Sequence, residues 1–298
     1  MTEEQRRDID ELLRTVPAAP HPTVEQLRRG FETLMAGMSV PDGLRLEEGH
    51  LGGLPALRVV PPTGGTRGTL LYFHGGAYVF GSPATALSLT GSLAVGTDTT
   101  AWSVDYRLAP EHPFPAAVED GLTAYRALLD QGVDAGGLVV AGDSAGGGLA
   151  VTTVLQARDA GLPLPAAVVT FSAGLDRTRS GPSRTTKLAA DPIFTPAALA
   201  RTQALYLDGA SADLPLASPA TRADLRGFPP ILLQVGGNEL LRDDTTLFAA
   251  RAVEADVEVV LDVVPGVPHV FQAFHGALDD ADRALERAVL FLRQHLDG

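Results

Sequence analysis

The sequence predicts an α/β fold, a mostly parallel sheet with helices packed on both faces. Three observations carry this reading. Several short segments are continuous apolar runs, such as Ile231-Leu232-Leu233-Gln234-Val235, the pattern of strands covered on both sides. From Pro115 onward such runs alternate with helical patterns, as parallel strands joined by crossover helices require. The run Leu138-Val139-Val140-Ala141 enters a Gly-bounded turn, Gly142 to Gly147, and leaves it as the helix-like stretch Gly148 to Leu155. With 298 residues, 45% of them hydrophobic, the chain can bury a large core.

Taken in order, residues 1 to about 40 read as helical. Ile9, Leu12, Leu13 and Val16, then Val24, Leu27, Phe31, Leu34 and Met35, recur at helical spacing on either side of the Pro-rich break Pro17 to Pro22. From about residue 44 the pattern becomes strand-like, with eight candidate strands near 44–48, 55–60, 69–74, 100–105, 138–142, 167–172, 230–236 and 257–263. Two segments stand outside the alternation: the N-terminal helices (1–42), and about 180–225, rich in Pro, Ala, Thr and Asp. Both are expected to form a helical cap on a catalytic domain spanning 43–298.

Composition narrows the function. A net charge of -13 argues against nucleic acid and anionic membranes as partners. The absence of cysteine excludes disulfides, thiolate metal sites and a cysteine nucleophile. No apolar run approaches a membrane span, and the charged start Met1-Thr2-Glu3-Glu4-Gln5-Arg6-Arg7 has no apolar h-region, so a cytoplasmic location is expected.

The turn Gly142-Asp143-Ser144-Ala145-Gly146 matches G-x-S-x-G, and its strand-turn-helix setting gives that motif its meaning as a nucleophile elbow. Small neighbours let the backbone turn sharply and leave the Ser144 hydroxyl clear. A serine needs a base, and the base needs a third group to orient it. His269 follows the last candidate strand and the turn Pro265-Gly266-Val267-Pro268, at the strand end where α/β sheets present their chemistry. His275 and His295 read as structural and surface residues. The acid belongs one strand earlier, in Gly236 to Asp244, where three carboxylates compete. Glu239 lies at the strand exit and is preferred. Asp243 and Asp244 read as first-turn helix residues that favour the helix dipole.

An oxyanion needs amide donors. The strand Leu70-Leu71-Tyr72-Phe73 leaves through His74-Gly75-Gly76, where missing side chains let N–H groups approach a substrate oxygen. Gly75, Gly76 and Ala145 are the expected donors. Tyr78, Asp143 and Val270, which adjoin these motifs, are candidate pocket residues.

With these motifs in view, the chain resembles the hormone-sensitive-lipase-like esterases, a bacterial branch of the α/β-hydrolases, from about residue 25 to the end. The resemblance rests on HGGAY (His74 to Tyr78), DYRLAPEHPFPAAVED (Asp105 to Asp120), GDSAGG (Gly142 to Gly147), DPIFTPAAL (Asp191 to Leu199) and the stretches around Glu239 and His269. It implies the α/β-hydrolase fold with a helical cap, and hydrolysis of carboxylic esters of short or medium chain. It also implies no metal or organic cofactor, and pairing into dimers through the last strand. The 105–120 block is implied to brace the loops under the oxyanion turn. A lactonase acting on cyclic esters would use the same residues. A small-molecule receptor on a disabled scaffold would lack the histidine that this chain retains. Three departures stand out: Ala77 replaces a third glycine, Glu239 replaces the usual Asp, and Ser172-Ala173-Gly174 replaces Ser-Pro-Trp. Gly174 is expected to widen the pocket for bulkier or ring-shaped esters.

Overall fold

The computed structural model describes residues 2–15 and 22–296. Two helices come first, α1 (Thr2–Thr15) and α2 (Val24–Met35). Most of the expected proline break, with Val16, lies outside the described residues. A capping box opens α2: Gln26 N–H donates to Thr23 Oγ1 at 3.2 Å, and Thr23 N–H to Gln26 Oε1 at 2.8 Å. The sheet elements follow: β1 (Arg45–Leu51), β2 (Leu54–Val60), β3 (Gly68–Phe73), α3 (Leu87–Thr97), β4 (Thr99–Val104), α4 (Ala116–Asp130), β5 (Leu138–Asp143), α5 (Ala145–Asp159) and β6 (Ala167–Phe171). The insertion then contributes α6 (Ser183–Thr186), α7 (Pro196–Leu207) and α8 (Pro219–Arg222). The chain closes with β7 (Ile231–Gly236), α9 (Arg242–Glu254), β8 (Val259–Val264) and α10 (Asp279–Leu296).

All eight strands join one sheet in the order β1-β2-β4-β3-β5-β6-β7-β8. The first two pair antiparallel, β2 meets β4 antiparallel, and every pair from β4 to β8 is parallel. Alternate residues enter opposite cores, as the two-residue period of a strand demands. Leu71, Phe73, Val140, Val168 and Leu233 belong to the core shared with α4, α5 and α9. Their neighbours Leu70, Tyr72, Val139, Val169 and Leu232 belong to the core under α3 and α10. Strands covered on both faces explain the unbroken apolar runs. At the sheet's end, β8 leaves Val260, Leu261 and Val263 exposed.

The two outlying segments behave differently along their length. Ile9 and Leu13 of α1 pack with Val264, Val267, Phe271 and Phe274, next to the β8 exit. Within the insertion, Tyr206, Ala217, Ala220 and Leu225 are buried in the same core as α5. Its earlier part, with Ile193, Phe194, Leu199 and Thr202, lines a cavity at the C-terminal ends of the strands. Among the described residues no helix is long and apolar enough to cross a membrane.

Candidate active site

Three strand exits meet at that cavity, of about 180 Å³. β5 ends in the turn that carries Ser144, held at φ +51°. The turn is possible because its flanking glycines have no room for a side chain. A Cβ on Gly146 would lie 2.0 Å from the Phe73 carbonyl oxygen, and one on Gly142 would lie 2.3 Å from the Gly146 oxygen. Ser144 therefore stands at the mouth of α5, whose first amides have no partner within the helix.

The His269 ring lies between the other two residues. Its Nδ1 is 2.5 Å from Glu239 Oε2, and its Nε2 is 2.9 Å from Ser144 Oγ. A carboxylate can only accept, so Nδ1 carries the proton and Nε2 is left free to take one from the serine. Glu239 is completely buried, and its Oε1 accepts from Ser172 Oγ–H and Gly236 N–H, both at 2.7 Å. Ser172 Oγ also accepts the Val270 N–H at 2.9 Å, so one hydroxyl ties the acid to the residue after the histidine. Val270 sits at φ +50°, an unfavourable value for a β-branched residue, and the bond to Ser172 helps hold it there. The Phe194 ring meets the imidazole edge-on, 4.6 Å between centroids.

Beside Ser144, Gly76 and Ala77 line the cavity together with Ala145. Gly76 adopts φ +122° and Ala77 φ +55°, and neither N–H donates to protein among the described residues. The 105–120 block lies beneath this turn. Tyr106 Oη–H donates to the His74 carbonyl at 2.7 Å, Ala109 N–H to the Tyr78 carbonyl at 2.8 Å, and Arg107 forks onto Asp120.

A family profile described as the alpha/beta hydrolase fold matches residues 70–273. An acetyl-hydrolase of Streptomyces hygroscopicus is 44% identical over 225 residues, 76% of this chain and 75% of that protein. A carboxylesterase of Mycobacterium tuberculosis is 31% identical over 289 residues, 92% of this chain and 90% of that one. Among solved structures, an esterase from the bacterial hormone-sensitive lipase family superposes with a TM-score of 0.94 at 39% identity, covering 98% of each chain. The chain belongs to the hormone-sensitive-lipase-like esterases of the α/β-hydrolase fold.

Within this esterase, two of the residues expected from sequence stand elsewhere. Gly75 is not available as an oxyanion donor, because its N–H donates to Asp143 Oδ1 at 3.0 Å. Its missing side chain serves that carboxylate: a Cβ there would lie 2.1 Å from Asp143 Oδ2. Tyr78 is not a wall of the cavity. It is buried beneath it, its ring stacked on Tyr206 with centroids 4.0 Å apart. Asp143, Gly174 and Val270 do line the cavity, but the room beside Gly174 is taken, since a Cβ there would meet Arg177 Nη2 at 3.1 Å. Asp243 and Asp244 lie in the first turn of α9, and His275 Nε2 lies 3.0 Å from Ser88 Oγ.

Sequence reasoning gave no site role to Ser172 or Asp191. Asp191 Oδ1 accepts the N–H groups of Ile193 and Phe194 at 2.8 Å, and its Oδ2 accepts that of Leu240 at 2.7 Å. It thereby joins the insertion to the residue after Glu239.

Burial pushes the Asp143 carboxyl up to about 6, against the opposing pull of the Tyr72 hydroxyl, of His269 and of the Gly75 amide. A carboxyl raised in this way binds its proton more tightly folded than unfolded. Stability therefore falls as the pH rises from the ordinary aspartate range through about 6, by about 3 kcal/mol in all. An Asp143→Asn variant cannot titrate there. Urea unfolding of both proteins at about pH 4 and about pH 7 should show the variant gaining on the parent by up to about 3 kcal/mol at the higher pH. A difference independent of pH would mean that Asp143 ionises as readily folded as unfolded.

Proposed function

We propose that the protein is a serine carboxylesterase that hydrolyses short- to medium-chain acyl esters through an acyl-enzyme. One observation carries this reading: the His269 ring bridges Ser144 and Glu239 at 2.9 and 2.5 Å, on the exits of three parallel strands. Ser144 Oγ attacks the ester carbonyl while His269 Nε2 takes its proton, and Glu239 stabilises the imidazolium that forms. The amides of Gly76, Ala77 and Ala145 receive the oxyanion. His269 then passes the proton to the leaving alcohol, and water, activated by the same nitrogen, releases the acid from Ser144. Support for the ester as substrate comes from relatives named as an acetyl-hydrolase and a carboxylesterase.

The test is turnover of p-nitrophenyl esters from acetate to dodecanoate. Rates highest on the short members, with diethyl p-nitrophenyl phosphate labelling the peptide that contains Ser144, are the expected result. A folded protein inert toward the whole series but active on lactones would replace this reading with that of a lactonase.

We also propose a homodimer formed by pairing of β8 across a twofold axis, supported by the exposed Val260, Leu261 and Val263 on an edge strand. Sedimentation should give twice the chain mass, and Leu261→Lys should shift it toward the single chain. A parent protein that sediments as one chain at high concentration would refute this assembly.

A further inference from the structure

We propose that the pocket wall next to Ser144 is an anion subsite, in which the Arg177 guanidinium binds a carboxylate carried by the substrate. The inference rests on the esterase reading and names the substrate class: half-esters, in which a carboxylate lies a few bonds from the reacting ester.

Two arginines line the cavity, Arg177 and Arg184, and their situations differ. Arg184 has its counterion, Asp244, at 2.8 Å, and Asp244 is itself buried and also accepts the amides of Leu175 and Asp176. Asp176 is likewise committed, to Thr178 and Ser180. Arg177 makes no ion pair among the described residues, and Asp244 acts on it only at longer range. Its guanidinium reaches the Gly174 carbonyl over a long 3.4 Å and the Tyr78 hydroxyl, both uncharged partners.

The guanidinium is nevertheless fixed in place. Its central carbon lies 5.4 Å from the Tyr78 ring centroid and 5.7 Å from that of Tyr206. Ser218 Oγ accepts the Arg177 N–H, and Gln203 Nε2–H donates to the Arg177 carbonyl, both at 2.8 Å. A cation held against aromatic faces, with neutral partners and no carboxylate on its donor fork, is preorganised for a planar anion. Gly174 leaves the guanidinium its room, because a Cβ there would lie 3.1 Å from Nη2 and oblige it to shift by a few tenths of an ångström. The same residue fixes the distance to the chemistry, since its N–H donates to the Ser144 carbonyl at 2.9 Å. In a chain of net charge -13, two arginines line the cavity and one of them has no ion-pair partner, a charge that a neutral ester does not use.

The carboxylate could lie on the acyl or on the alcohol side, and two substrate pairs separate these. The acyl-side pair is p-nitrophenyl hydrogen glutarate and its methyl ester. The alcohol-side pair is O-butyrylglycolate and its methyl ester. In the parent enzyme at low ionic strength, the carboxylate member of one pair is expected to have a KM about tenfold below that of its neutral partner. Added salt at about 0.5 M should raise that KM and leave the neutral partner's in place. Arg177→Met should erase the ratio through KM rather than kcat, and Arg177→Lys should restore part of it. Neutral members favoured in both pairs of the parent, or an equal loss on both members in Arg177→Met, would overturn the subsite.

Failure of the esterase reading looks different, as no turnover of any of the four compounds. The subsite remains testable in that event by calorimetric titration of the parent and Arg177→Met with glutarate. Binding weakened about tenfold by the substitution supports it, and equal affinities overturn it.

Discussion

Ser144→Ala is expected to lower kcat for p-nitrophenyl butyrate by about 10⁵-fold while the protein folds as before. The hydroxyl makes one hydrogen bond, to His269, and its loss leaves the turn's packing untouched. Alanine meets the same backbone demand that serine meets at φ +51°. Gly76, Ala77, Ala145 and the cavity walls remain, so a residual rate above that in buffer should persist. Circular dichroism separates a chemical from a structural loss. A fall of less than about tenfold with native spectra would move the nucleophile away from Ser144.

Glu239→Gln should cost nearly as much, about 10⁴-fold in kcat, with KM changed by no more than about threefold. Three donors hold the Glu239 carboxylate. Oε1 of a glutamine can still accept from Ser172 and Gly236, so that oxygen stays where it is. The amide nitrogen is then turned toward His269 Nδ1, which in the parent faces Oε2. A donor facing Nδ1 forces the proton onto Nε2, and the imidazole then presents N–H to Ser144 instead of a lone pair. The site would be intact in shape and hold the wrong tautomer. Steady-state kinetics on the variant check this, and a large rise in KM with kcat preserved would contradict it.

The parts of this protein that were legible in its sequence are those set by local chemistry and chain order. Strands β5, β6 and β7 are buried along their whole length, so unbroken apolar runs announced them. Ser144, Glu239 and His269 could be picked out as candidates because each follows a strand in sequence. What was not legible depends on contacts between distant segments. Which amide of the His74 turn faces the cavity depends on Asp143 reaching Gly75 across 68 residues. The orientation of Tyr78 depends on a partner ring at Tyr206. Ser172 gains its place by touching Glu239 and Val270, 67 and 98 residues further on. Gly174 announced space, and the placement of Arg177 beside it depends on distant partners, Tyr78, Tyr206, Gln203 and Ser218.

The Asp191 carboxylate bears on how this molecule divides its time. Phe194, which covers the edge of His269, and Leu240, which follows Glu239, are bonded to opposite oxygens of the same buried group. Moving the 193–194 backbone outward with its carboxylate contacts intact would strip the Leu240 amide of its acceptor, at about 1–3 kcal/mol. A conformer of that energy is occupied for roughly 1 to 15 per cent of the time. Access and alignment are therefore linked through one carboxylate. Substrates meet a histidine and a glutamate that are in register before they arrive.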